Sequence, residues 1–169
     1  MNIKFEQAMA GDLKLILSFF KTASQSLKKK NVSQWSYWKN PPMDKIKWVD
    51  EGLKNNEFYF ICKTSGQKTG MFRLLAEDVL YWGEQGKEKG VRYIHSLVVN
   101  PEFSGLGIGK IAMQKIIEDL KVRGIGKLRL DCDASNKLLC QYYTNLGFKK
   151  TGIKETRYSV NNLYEMSID

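Results

Sequence analysis

The chain has 169 residues, 43% of them hydrophobic and 27% charged, with a net charge of +9. This fits one globular domain spanning residues 1–169 with its own core, and no apolar run is long enough to span a bilayer. The three widely spaced cysteines, Cys62, Cys132 and Cys140, argue for reduced thiols in a cytosol and against a disulfide scaffold or a zinc site.

The positive excess favours anionic partners: nucleic acid, acidic lipid or a phosphorylated cofactor. The charge is not gathered into one block. Its densest cluster, Lys28, Lys29 and Lys30, reads as a solvated helix end that suits the helix dipole. The start "MNIKFEQAMAGDLK" lacks the continuous apolar stretch and cleavage site of a signal peptide, so a cytoplasmic location is expected.

In chain order, residues 2–7 alternate like a short strand. "AGDLKLILSFFKTASQSLK" reads as a helix with Asp12 near its start. "NVSQWSYWKNPP" is an aromatic loop closed by Pro41 and Pro42. "MDKIKWVDEGLKN" repeats apolar residues at Ile46, Val49 and Leu53 as a second helix. "EFYFICK" and "KTGMFRLLAED" flank the hairpin signal "TSGQ", and "VLYWGEQGKEKG" reads as a polar, glycine-rich loop carrying Trp82. "VRYIHSLVVN" is a strand ended by Pro101. A glycine loop follows, then a helix from about 108 to 122 with Ile111, Ile116, Ile117 and Leu120 on its apolar face. "RGIG" stops that helix and "KLRLDCD" is the next strand. Residues 136–146 form a helix ended by Gly147, and "FKKTGIKET" and "RYSVNNLYEMSID" are two closing strands. The class is mixed α/β, with a strand–helix–strand crossover around the glycine loop.

The glycine loop, "SGLGIGK" at 104–110, is the sharpest motif. Glycines running into a helix N-terminus offer unpaired backbone N–H groups and the positive end of a dipole, a ready cradle for phosphate oxygens. The P-loop pattern fails, because Ser104 stands at its first glycine and Ile111 at its metal-binding hydroxyl. The dinucleotide fingerprint fails at Lys110, its third glycine position.

A third pattern fits. "YIHSLVVNPEFSGLGIGKIAM" and "LRLDCDASNKLLCQYYTNLGF" together resemble the GCN5-related N-acetyltransferase (GNAT) family over residues 91–150. The earlier half matches only in the order of its elements. The resemblance implies an α/β (α+β) fold with a central mixed sheet of about seven strands and about four flanking helices. The fourth and fifth strands splay to form a CoA cleft. It implies transfer of an acetyl group from acetyl-CoA directly to a primary amine of a small molecule or peptide, with no metal. Carried over by position, Ser104, Gly105, Leu106, Gly107, Ile108, Gly109 and Lys110 surround the pyrophosphate. Ser104 replaces the family's usual arginine or glutamine, which removes one side-chain contact and leaves the backbone cradle intact. Leu97, Val98 and Val99 match the segment that pairs with the pantetheine arm. A backbone N–H there, of Val98, polarises the thioester carbonyl where charge develops.

An amine with a pKa of about 10.4 must lose a proton before attack. Where many family members carry a glutamate, this chain has His95, its one histidine. Imidazole titrates near neutrality, so His95 is the candidate base, against the plain reading of a half-buried strand residue. The resemblance makes Tyr143, seven residues after Asn136, the acid for the leaving thiolate. The plain reading of Tyr143 is a core aromatic packed on Phe148. Asn136 would hydrogen-bond the pantetheine amides, and its plain reading is a helix cap. A covalent Cys140–His95 route lacks an orienting group, and Cys62 and Cys132 read as buried fillers.

The acceptor site of such a fold lies near Trp35, Tyr37, Trp38, Trp82 and Tyr158. Trp35 and Trp82, in polar loops, are the candidate acceptor-binding residues through apolar or cation–π contact. Asp78, Glu84 and Asp131 are acids that could attract a cation. Two rival readings stand beside the enzyme: a non-catalytic CoA-binding sensor or interaction module, and a nucleic-acid binder. The second has neither a basic recognition helix nor a basic–aromatic stacking motif, so neither nucleic acid nor membrane is an expected partner. Relatives of this kind often dimerise through the terminal strands, which makes a homodimer the implied assembly.

Overall fold

A computed structural model describes residues 1–169. Seven strands form one mixed sheet in the order β1-β2-β3-β4-β5-β7-β6, with five α-helices and short 3-10 turns between them. By contacts the chain forms two compact units. The first comprises Met1–Leu74 and Ser96–Gln114, the second Leu75–His95 and Lys115–Asp169.

In the first unit β1 (Ile3–Gln7) runs antiparallel to β2 (Phe58–Lys63), and β2 antiparallel to β3 (Lys68–Leu75). Helix α1 (Leu13–Lys29) buries Ile16, Phe19, Phe20 and Ala23, the three-and-four spacing of a single helical stripe. That stripe packs with Trp38, Val49, Leu53, Phe58, Phe60 and Met71. Trp38, in the segment read as an aromatic loop, lies on a 3-10 turn over Ser36–Lys39 and stacks on Phe20 at 3.8 Å. Helix α2 (Met43–Lys54) supplies Gly52, where a Cβ would strike the buried Arg73 guanidinium. Arg73 is held by Glu57 at 2.6 and 2.9 Å and by the Trp48 carbonyl at 2.9 Å.

Strand β4 (Val91–Val99) and helix α4 (Ile108–Val122) each contribute one end to each unit. In the second unit β4 pairs in parallel with β5 (Lys127–Asp133), from Val91 opposite Lys127 to Ile94 opposite Leu130. β7 (Val160–Ser167) is antiparallel to both β5 and β6 (Lys149–Glu155). The buried residues of α4 are Ile108, Ala112, Met113, Ile116 and Leu120. Ile116 and Leu120 lie on the expected apolar face, while Ile111 and Ile117 fall to its flanks. Those two are half-buried, and the buried ridge follows the i, i+4 row from Ile108.

The fifth helix lies where a loop was expected. Short α3 (Val79–Trp82) is started by Asp78, whose side chain accepts a bond from the Tyr81 N–H at 3.3 Å, and a 3-10 turn over Gly83–Lys87 follows. Buried Arg129 fastens this stretch. It donates to Glu165 at 2.7 Å, to the Gln85 carbonyl and Tyr93 hydroxyl at 3.0 Å each, and to Glu88, and it lies 4.8 Å from the Trp82 ring centroid. A polar, glycine-rich sequence thus folds because one buried cation from β5 satisfies its carbonyls and acids. Helix α5 (Lys137–Asn145) completes the unit.

Gly70 on β3 touches the Val98 carbonyl so closely that a Cβ would overlap it. Gly70→Ala is expected to lower stability by about 1–3 kcal/mol, read as a fall in Tm by differential scanning fluorimetry.

Candidate functional site

The first unit holds the glycine loop. Asn100 ends β4, and its side chain accepts a bond from the Glu102 N–H at 3.2 Å. Pro101–Phe103 makes a 3-10 turn. Gly105 and Gly107 then take φ of +77° and +71°, where nothing lies within 4 Å of the position a Cβ would occupy. The two are glycine because of backbone conformation, not crowding. Their environment is open, with Ser104, Gly105, Leu106, Gly107 and Lys110 exposed. The Gly107 carbonyl accepts the first helical bond of α4, from Ile111 at 3.0 Å. The N–H groups of Ile108, Gly109 and Lys110 consequently have no partner within the helix. Gly109 is helical, and a Cβ there would meet only Val99, at 3.8 Å. The loop has the shape, polarity and openness that a pyrophosphate needs.

On β4 just before this loop, Val98 is buried in the first unit's core while Leu97 and Val99 are half-buried. Ser96 has φ +57°. A non-glycine residue in the left-handed region costs roughly 1–2 kcal/mol, and such strain persists only where the surroundings impose it. Its immediate neighbour, His95, is held between two carboxylates.

His95 Nε2 lies 2.7 Å from Asp78 Oδ2 and its Nδ1 lies 3.0 Å from Asp131 Oδ1, with only 9% of the side chain exposed. Asp131 is on β5, one residue past the Ile94–Leu130 pair, so the parallel register delivers it beside His95. Asp78 comes from the cap of α3. Each carboxylate has a further donor: the Asn161 side chain reaches Asp131 Oδ2 at 2.7 Å, and the Tyr81 N–H reaches Asp78. The Ser159 hydroxyl donates to Asn161 Oδ1 at 2.6 Å, and the Tyr81 ring leans on the imidazole at 4.9 Å. Burial opposes a charge on His95, but the carboxylates of Asp131 and Asp78 outweigh it and push the pKa up to about 10. This corrects the expectation of near-neutral titration. At pH 7 His95 is an imidazolium with both ring nitrogens occupied, and it has no lone pair with which to take a proton from an amine. Asp78 and Asp131 stood out in the sequence only as scattered acids, and nothing local showed that they enclose the histidine.

Asn136 caps α5, its Oδ1 accepting from the Leu139 N–H at 3.2 Å. Tyr143 lies on the buried side of α5, 8% exposed. Its ring meets Phe148 edge-on at 5.9 Å and Tyr164 at 6.4 Å. Burial, aided by Cys132, Tyr142, Asp131 and Cys140, drives the phenol pKa well above its ordinary value, so Tyr143 keeps its proton throughout the physiological range.

The two tryptophans differ. Trp35 is half-buried at the start of its 3-10 turn, with φ +65° and its ring edge-on to Phe20 at 5.7 Å. Trp82 is 7% exposed and packs with Leu75, Val91 and Tyr93 beneath Arg129. Expected in a polar loop, it is instead a core residue, because α3 folds it inward.

Residues 24–148 match the acetyltransferase (GNAT) family. An uncharacterised N-acetyltransferase of Methanocaldococcus jannaschii is 28% identical over 123 residues, which are 73% of this chain and 48% of that protein. A ribosomal protein bS18-alanine N-acetyltransferase of Salmonella typhimurium is 29% identical over 75 residues, 44% of this chain and 51% of that one. The chain thus spans about half the length of the curated relatives it matches. Among solved structures, an aminoglycoside acetyltransferase in complex with coenzyme A and kanamycin superposes with a TM-score of 0.73. It is 18% identical, over 98% of this chain and 95% of that one.

A folded-state pKa of about 10 against an unfolded value near 6.5 means that the His95 charge stabilises the protein fully below about pH 6.5. That contribution is lost as pH rises through about 10. His95→Gln leaves two buried carboxylates without their cation and is expected to cost about 3–5 kcal/mol near neutral pH. In thermal melts from pH 6 to pH 10 the gap between wild type and variant should narrow as pH rises. A constant gap would remove the charged triplet.

Proposed function

Since the chain belongs to the acetyltransferase (GNAT) family, we propose that it transfers an acetyl group from acetyl-CoA to a primary amine of a small molecule or peptide. The observation that carries this reading is the open glycine loop, with left-handed Gly105 and Gly107 leading into the unpaired N–H groups of α4. Acetyl-CoA supplies an acyl group activated as a thioester. In this reading the N–H groups of residues 105–110 hold its pyrophosphate, and the exposed Lys110 side chain adds a positive charge. The backbone of Leu97, Val98 and Val99 orients the pantetheine arm, and the Val98 N–H stabilises the charge that develops on the carbonyl oxygen. Asn136, the cap of α5, binds a pantetheine amide through its side chain. Tyr143 gives its proton to the departing thiolate. His95 serves as a fixed cation that holds Asp78 and Asp131 in place. The amine's proton leaves through those carboxylates or water rather than through the imidazole.

Acceptors of both sizes occur among the similar proteins: the Salmonella relative is named for a ribosomal-protein alanine, and kanamycin is bound in the aminoglycoside enzyme. Trp35, the half-buried aromatic of the pair, remains our candidate for contact with the acceptor. A CoA-binding module without turnover is the second reading. It is favoured by one observation, that both ring nitrogens of the only histidine face a carboxylate, of Asp78 and of Asp131.

Acetyl-CoA at a hundredfold excess over its Kd should stabilise the protein by about 2.7 kcal/mol. No rise in Tm would sink both readings. CoA-thiol release over a panel of aminoglycosides, polyamines and N-terminal peptides then separates them, since a shift in Tm with no release on any amine selects the module. Gly107→Ala forces φ +71° on a residue with a Cβ, at roughly 1–2 kcal/mol, and should weaken acetyl-CoA binding about tenfold. Tyr143→Phe should lower turnover on the order of 10²-fold with acetyl-CoA affinity unchanged. Loss of affinity alone would make Tyr143 a packing residue.

A further inference from the structure

Two nucleophilic side chains that the proposed reaction does not use lie against each other. Cys132 Sγ on β5 and Cys140 Sγ on α5 are 3.3 Å apart. Both thiols are free and both aim at the Asp133 carbonyl, at 3.6 and 3.5 Å. The Asn162 amide donates to Cys140 Sγ at 3.6 Å and orients it. Cys140 is half-buried, whereas Cys132 is 2% exposed. The third cysteine, Cys62, is buried on β2 in the other unit.

We propose that Cys132 and Cys140 form a reversible disulfide that displaces α5 and switches off acetyl transfer; the switch rests on the acetyl-transfer reading, the bond itself does not. The oxidant is a peroxide. The Cys140 thiolate attacks one oxygen of hydrogen peroxide, the O–O bond breaks, and the leaving hydroxide takes a proton to become water. Cys140 is then a sulfenic acid. The Cys132 sulfur attacks the Cys140 sulfur, the S–O bond breaks, and a second water leaves with the Cys132 proton. Two electrons have passed from the two sulfurs to the peroxide, and a dithiol returns them. Exposure assigns Cys140 to the first step. Burial, with the neighbouring Cys140, Asp131 and Asp133, pushes the Cys132 thiol pKa up and keeps it protonated until the sulfenic acid is beside it.

The consequence follows from chain position. An S–S bond of about 2.05 Å requires the sulfurs to close by more than an ångström, which draws the start of α5 and β5 together. The Cys140 N–H is bonded to the Asn136 carbonyl at 3.0 Å, and Tyr143 lies one turn further on. Both residues that α5 contributes to the proposed reaction thus move with Cys140. A misplacement of about 1 Å in such groups costs on the order of 100-fold in rate.

The test treats the full chain with hydrogen peroxide, blocks remaining thiols with an alkylating agent, and reads intact mass and a peptide map. The expected product carries one alkyl group, on Cys62, and is otherwise lighter than the reduced chain by two hydrogens, with Cys132 linked to Cys140. In Cys132→Ser, dimedone should trap a sulfenic acid on Cys140. A link through Cys62, sulfinic acid on Cys140 of the wild type, or two unmodified thiols would overturn the proposed bond. For the switch, oxidised wild type should release CoA thiol on the order of 10–100-fold more slowly, with recovery in dithiothreitol. The Cys132→Ser/Cys140→Ser double variant should be indifferent to peroxide. A link with unchanged turnover overturns the switch and leaves the bond standing. If the reduced protein acetylates no amine, the acetyl-transfer reading fails and the switch with it, while the bond is still decided by mass alone.

Discussion

The imidazolium of His95 between Asp78 and Asp131 is the constraint on which much of the second unit depends. One buried cation faces two buried carboxylates, so the cluster carries a net negative charge that water cannot screen. Such a cluster needs further donors to its carboxylates, although Asp131 Oδ1 has only the His95 ion pair and no hydrogen bond. Here Asn161 supplies Asp131, and the first turn of α3 supplies Asp78. The cap of a four-residue helix, the end of the paired part of β4 and the middle of β5 are thereby tied to one side chain. Arg129 does the same from the opposite sense of charge: a single guanidinium gathers Glu165, Glu88, Gln85 and Tyr93. Two buried ionic centres therefore help to order residues 78–88, beside the packing of Trp82 and Tyr81 on Leu75, Val91 and Tyr93.

Backbone conformation does the corresponding work in the first unit. Gly105 and Gly107 lie where a side chain would be strained but would touch nothing. The loop's shape is set by torsion, and its surface stays open for a ligand. Gly70 is the reverse case, a glycine required because a carbonyl of β4 occupies the space of its Cβ. Ser96 adopts a left-handed conformation without being glycine. It follows directly after the residue held by the two carboxylates, so β4 is strained just beyond its anchored part. Functional sites concentrate such features because a rigid surround maintains a conformation that an isolated chain would relax.

Much of this was legible from local pattern. The helix over 108–122 and the strands around it were marked by branched residues, glycines and Asn100-Pro101, and their limits match the structure closely. The role of Asn136 as a helix cap was also readable, because capping is local. The missed features are all non-local. Residues 79–87 looked like a loop because their order comes from Arg129, more than forty residues later. Trp82 read as part of that polar loop for the same reason. Of the apolar face read for α4, Ile116 and Leu120 are buried, but Ile111 and Ile117 only half so, because a helix rich in isoleucine on two sides does not announce which side is covered.

The sequence by itself determined the family, the order of elements and the torsional demands of the glycine loop, because glycine, proline and periodicity act over a few residues. Only the tertiary structure decided the ionisation of His95 and the meeting of Cys132 with Cys140. A pKa depends on charges within a few ångströms, and those of Asp78 and Asp131 come from seventeen positions before His95 and thirty-six after it. A histidine that looks like a neutral base in the sequence is, in the fold, a buried cation.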